Sequence, residues 1–264
     1  MMRIRNGQLL ASGPEPAEPP DAVGVFETLL LRTGAPQFFA EHCQRHAAGC
    51  AHFGLDTASD AGTLRTAVDT LVAVNGISDG VLRWSTWRET NGSVNWQVGV
   101  EPPRPHMAKP AWSAVCSITR LPPPGPDAAH KHLGRRIWRE ALLTARAQGF
   151  DEVLLMDRQG RIVEGGVSNV FWVAGGVVRT PSLACGPLPG ITRAQVIAVA
   201  REVGLPAEES LLTLADVHAA QELFVTNALV GIRPLAALDG VPKADPAPVT
   251  ARLQAAWRAA FGWS

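Results

Sequence analysis

The sequence predicts an α+β protein of two domains, and three observations carry that expectation. Short apolar segments with strand periodicity alternate with helical patterns in both halves of the chain. The Pro-rich stretch EPPRPHMAKP (101–110) interrupts them where no regular element continues, and 264 residues supply a sizeable core without covalent staples. A smaller N-terminal α+β domain is therefore expected over 1–108 and a larger C-terminal domain over 109–264.

VGVFETLLL (23–31) runs apolar as a strand does, GAPQ reads as a turn, and FFAEHCQRHAAGCAHFGL (38–55) turns helical with Gly54 as its stop. A second helix is predicted over roughly 58–74, followed by a hairpin of VLRWSTW (81–87) and NWQVGVE (95–101) around TNGS. Beyond the Pro-rich stretch, WSAVCSITR (112–120) reads as a strand, LPPPGPDAAHKH as a loop, and GRRIWREALLTARAQGF as a helix closed by Gly149. DEVLLMDRQGRIVEGGVSNVFWVAGGVVRTP gives strands joined by DRQG and AGG turns. GPLPGITR (186–193) leads into a helix, ELFVT (222–226) is a strand, and a terminal helix is expected near 246–261.

Lys plus Arg equals Asp plus Glu at 24 each, so the charge balance asks for neither nucleic acid nor an anionic membrane, and a small molecule is the expected partner. Cys43, Cys50, Cys116 and Cys185 show no CxxC pair or zinc-finger spacing, which argues against a structural metal. No apolar run reaches the length of a membrane span or a signal segment, so a cytoplasmic setting is expected.

Each candidate residue has a plain reading beside a chemical one. In GPLPGITR, Thr192 caps the following helix, or Gly190 lets the backbone approach a bound anion that the helix amides stabilise. Lys131, in AAHKHLGRR, is a solvated loop lysine, or an amine whose pKa neighbouring histidines and arginines depress toward that of a Schiff-base lysine. Glu164 is a hairpin-end glutamate, or a carboxylate aimed at a ring nitrogen. Arg45, in EHCQRH, is a surface arginine or a bidentate fork for phosphate. Thr226 and Asn227 close a strand at its carboxyl end, as a simple turn or at a ligand.

The order of these pieces, KHL, DEVLLMDRQGRIVEGGVSNVFWV, RTP, GPLPGITR and ELFVTNALVGIRPL, closely resembles the class IV aminotransferases. The likeness is strong from about 130 to 240 and fair over VFETLLLRTGAPQFFAEHCQRH. It implies the two-domain fold of that family, shared with D-amino-acid aminotransferases, pyridoxal 5'-phosphate (PLP) as cofactor, and a homodimer. By the same resemblance Lys131 carries the cofactor and is the catalytic base, and Glu164 pairs with the pyridine nitrogen. Arg45, the amides of Ile191 and Thr192 beside Gly190, and Thr226 hold the phosphate.

Among the members, KHL with Arg135 and the turn TNAL (226–229) are most similar to 4-amino-4-deoxychorismate lyases, although Gly134 stands where those have Asn. The chain also has no Tyr, which branched-chain members place shortly after the lysine. The expected reaction therefore releases 4-aminobenzoate and pyruvate, with Asn227 and Arg135 holding substrate carboxylates. The alternatives are an aminotransferase of D-amino acids, branched-chain amino acids or other small amines, and a PLP-binding relative without turnover. Two departures bear on the substrate: GPEPAEPPDAVGVFET replaces the family's acidic, Gly-rich N-terminal stretch, and STWRETNGSVNW replaces an RG-rich loop.

Overall fold

The computed structural model describes residues 1–11, 22–56, 60–243 and 247–262. They form two compact units, Met1–Met107 with His130–Arg135, and Ala108–Ala129 with Arg136–Ser264. Placing a single boundary between 108 and 109 misses the return of residues 130–135 to the first unit. Residues 13–21 of the altered N-terminal stretch lie outside the described residues, as do 57–59 and 246 at the edges of two predicted helices.

The first unit is a sheet with two helices. Its strands are β1 (Met2–Arg5), β2 (Gln8–Ala11), β3 (Val23–Arg32), β4 (Ala35–Pro36), β5 (Gly80–Arg88) and β6 (Val94–Glu101), in the spatial order β2-β1-β6-β5-β3-β4 with every neighbour antiparallel. Between β4 and β5 run α1 (Phe39–His52) and α2 (Ala61–Asn75), which pack on β3 and on β6 and β1 respectively. The β3–β4 hairpin turns through Thr33 and Gly34, both at positive φ, as a two-residue turn matched to strand twist requires. α2 is bounded as its sequence suggests: Asp60 accepts the Thr63 amide at 2.7 Å, and Gly76 ends it in the left-handed conformation. Leu29, Leu31, Leu64, Val68, Leu82 and Val98 form the centre of its core. The hairpin β1–β2 escaped sequence reading because β2 is exposed throughout and carries no alternation.

The second unit holds a ten-stranded mixed sheet. Its elements are β7 (Trp112–Leu121), α3 (Arg136–Ala147), β8 (Glu152–Asp157), β9 (Arg161–Gly165), β10 (Asn169–Ala174), β11 (Val177–Pro181), α4 (Ile191–Glu202), β12 (Ala207–Ser210), β13 (Leu212–Thr213), α5 (Leu214–Ala219), β14 (Glu222–Asn227), β15 (Gly231–Leu238), β16 (Val241–Pro242) and α6 (Pro248–Phe261). The order is β12-β11-β10-β14-β15-β7-β8-β9-β13, with β16 on β15. At its centre Phe171 and Phe224 stack across β10 and β14 with centroids 4.9 Å apart. Glu222, buried at the start of β14, caps α6: it accepts the amides of Val249 and Thr250 and the Thr250 hydroxyl. β15 was missed because Pro234 interrupts its pattern, and β12, β13 and α5 because they are short.

Among the described residues no helix is long and apolar enough to cross a membrane.

Candidate active site

In the first unit the segment carrying Lys131 lies against β3. The Phe26 amide donates to the Lys131 carbonyl at 2.9 Å, and the Leu133 amide donates to the Gly24 carbonyl at 2.8 Å. Gly24 permits this approach, since a Cβ there would stand 2.7 Å from Leu133 and from the Thr86 carbonyl. Lys131 Nζ is then fixed 4.6 Å over the Phe26 ring, with the Arg83 guanidinium 4.3 Å from the same ring.

The Lys131 amine is drawn down to about 7, by burial first, then by the positive charges of Arg45, Arg135 and Arg83, while Glu27 pulls the other way. The histidines the sequence put forward are not the cause. His130 stacks on His52 at 4.3 Å, and the His132 ring faces Phe53 at 5.7 Å.

Arg45 is no surface arginine. Its Nε and Nη2 donate to the two oxygens of Glu27 at 2.7 and 2.6 Å, and His42 Nδ1 meets the same carboxylate at 2.7 Å. The Nε/Nη2 edge of the guanidinium is therefore engaged by a carboxylate. Glu27 points to the core face of β3 with Val25, Leu29 and Leu31. Burial alone would raise its pKa, but Arg45 and His42 outweigh it and hold the group at about 2. Sequence reading passed over Glu27, although a lone acid at a core-facing position of VFETLLL signals a paired buried charge.

In the second unit Glu164 is the penultimate residue of β9 and is buried. Its Oε1 accepts the Trp138 indole N–H at 2.7 Å, and its Oε2 accepts the Leu188 amide at 3.0 Å. The two glycines after it serve a second buried acid: Glu152 accepts the Val153 and Gly166 amides at 2.9 Å and the Ser168 hydroxyl at 2.6 Å. A Cβ at Gly165 or Gly166 would press on that carboxylate. The turn thus leads straight to Asn169, which begins β10 opposite Thr226 and donates to the Leu188 carbonyl at 2.9 Å.

Leu188 introduces Gly190, the residue before α4. Its φ of −69° is open to any residue, so the glycine is required by space: a Cβ would collide with the Asn169 amide. Thr192 does not cap the helix. Gly190 holds the cap position with no side-chain bond, and the Thr192 hydroxyl is buried without a hydrogen-bond partner. The Thr226 hydroxyl is in the same condition. Buried hydroxyls are ordinarily satisfied, so two orphans among the residues singled out for phosphate, one of them beside the free amides of a helix start, fit an anionic ligand with acceptor oxygens. Asn227 is engaged locally: its Oδ1 accepts the Leu229 and Val230 amides and its Nδ2 donates to the Val167 carbonyl. Its amide therefore organises the TNAL turn.

The sequence matches the class IV aminotransferase family over residues 24–238, and the chain belongs to that family of PLP-dependent enzymes. A D-alanine aminotransferase of Listeria innocua is 29% identical over 253 residues, covering 87% of this chain and 84% of the relative. The branched-chain-amino-acid aminotransferase of Escherichia coli is 35% identical over 119 residues, 44% of this chain and 38% of the relative. The match thus spans less than half the length of that branched-chain relative. Among solved structures, the branched-chain aminotransferase of Thermoproteus uzoniensis shares the fold with a TM-score of 0.87 at 24% identity, covering 99% of this chain and 95% of that one. A hypothetical aminotransferase from Mycobacterium tuberculosis in its PLP-bound form superposes with a TM-score of 0.82 at 26% identity, covering 97% and 98%.

Proposed function

We propose that this chain is a PLP-dependent aminotransferase that takes the amino group of a small amino acid. The observation that carries the reading is the Lys131 amine at about 7: near neutral pH a substantial share is unprotonated, as both a nucleophile and a base for a Cα proton require. Glu164, fixed by two donors, is the partner for the ring nitrogen. The Ile191 and Thr192 amides and the Thr192 and Thr226 hydroxyls are the phosphate donors, and Gly190 keeps the loop before them close to Asn169. Arg45, ion-paired with Glu27, adds a positive charge that lowers the Lys131 amine, while Glu27 raises it. When bound, PLP supplies the electron sink that makes loss of the Cα proton feasible. Family likeness supports a homodimer.

An aminotransferase is favoured over the lyase expected from KHL and TNAL on two grounds. The D-alanine aminotransferase of Listeria innocua aligns over most of both chains, and the Asn227 amide proposed for a substrate carboxylate is already engaged by Val167, Leu229 and Val230. The lyase remains the second reading because Arg135 lies within electrostatic reach of Lys131.

The test gives PLP-loaded protein D-alanine or a branched-chain L-amino acid without an acceptor. Stoichiometric conversion of the cofactor to pyridoxamine 5'-phosphate, reversed by a 2-oxo acid and lost in Lys131→Ala, is the expected result. Pyruvate released from 4-amino-4-deoxychorismate with no 2-oxo acid present, and no conversion by amino acids, would overturn it in favour of the lyase.

A further inference from the structure

Glu164 receives two donors of different origin. The Leu188 amide belongs to the loop that must pass Asn169 to reach α4, so its position follows from the backbone. The Trp138 indole has no such obligation. Trp138 lies in the first turn of α3, where its ring packs against a core that includes Leu142, Val153 and Val163, and a phenyl ring would fill much the same place. What an indole adds is one N–H, and that N–H is 2.7 Å from Glu164 Oε1.

We propose that Trp138 is a positioning residue for Glu164. Its N–H fixes the carboxylate plane, so that the acid presents its oxygens in one orientation to a protonated heteroaromatic nitrogen. With Leu188 on the other oxygen, both Glu164 oxygens are tied within the second unit, and the remaining lone pairs keep one orientation. A carboxylate that turned freely would share its charge among several orientations and bind such a nitrogen less tightly. The inference rests on the reading of Glu164 as the ring-nitrogen partner.

The test is a double-mutant cycle on the full chain with Trp138→Phe and Glu164→Gln, read as the dissociation constant for PLP and as the pH dependence of the bound cofactor's visible absorbance. Trp138→Phe is expected to weaken PLP binding about tenfold, the scale of one charge-assisted hydrogen bond, and to move the absorbance transition. In the Glu164→Gln background the same change should have little further effect. Trp138→His, which keeps a ring N–H, should recover part of the loss and guards against a variant that folds poorly. An equal loss with and without Glu164 would mean that Trp138 only packs, and no loss in either background would likewise overturn the proposal. Should Glu164→Gln itself alter neither readout, the assignment of Glu164 falls, and the role of Trp138 falls with it.

Discussion

Replacing Glu27 with Gln tests the electrostatic arrangement behind Lys131. The native carboxylate is held near 2 against an ordinary value of 4.5. At about 1.4 kcal/mol per pKa unit, that depression corresponds to roughly 3 kcal/mol of stability. Because the folded value is the lower one, this contribution is fully present above about pH 4.5 and is lost as pH falls toward 2. Gln cannot neutralise Arg45, so at pH 7 the variant should lose about 3–5 kcal/mol, the cost of leaving a buried charge without its partner. Urea unfolding at pH 7 measures the loss, and unfolding repeated from pH 6 to 3 measures its pH dependence. The wild type should weaken over that range more steeply than the variant. The Lys131 amine should also fall below about 7 in the variant, since Glu27 is the group that raises it while Arg45 lowers it. A loss under 1 kcal/mol with parallel pH curves would refute the reasoning.

Two further outcomes follow from the second unit. Thr192→Val and Thr226→Val remove buried hydroxyls that have no partner, so cofactor-free protein should be unchanged or slightly more stable, while PLP affinity falls roughly tenfold for each; calorimetric melting and a PLP titration check both. Gly190→Ala should cost about 1–3 kcal/mol by pressing a methyl group onto Asn169, and Asn169→Ala should relieve most of that strain; additive losses in chemical denaturation would count against the contact.

Much of the fold was legible in the sequence because its main elements carry their own period. β3, β5, β7, β8 and β14 appear as apolar runs, and α2, α3 and α4 as helical patterns with recognisable ends. Among what escaped were the strands β1, β2, β12, β13 and β15, whose residues are exposed, few or interrupted by proline. These become strands only because a neighbour supplies hydrogen-bond partners.

The candidate residues divide along the same line. Lys131, Glu164 and the run from Gly190 to Thr192 stand out in sequence because their residue types and order resemble those of the class IV aminotransferases. Their partners do not. Glu27 with Arg45, Glu152 with the two glycines after Glu164, and Asn169 with Gly190 are pairs separated along the chain by distances that no local pattern encodes. The sequence by itself marked the candidate groups and the elements that carry them. The tertiary structure decided their state: which acid neutralises Arg45, why the amine of Lys131 is depressed, and which hydroxyls are left without a partner. Charge interactions and desolvation depend on distance in space and on burial, and neither exists until the chain has folded.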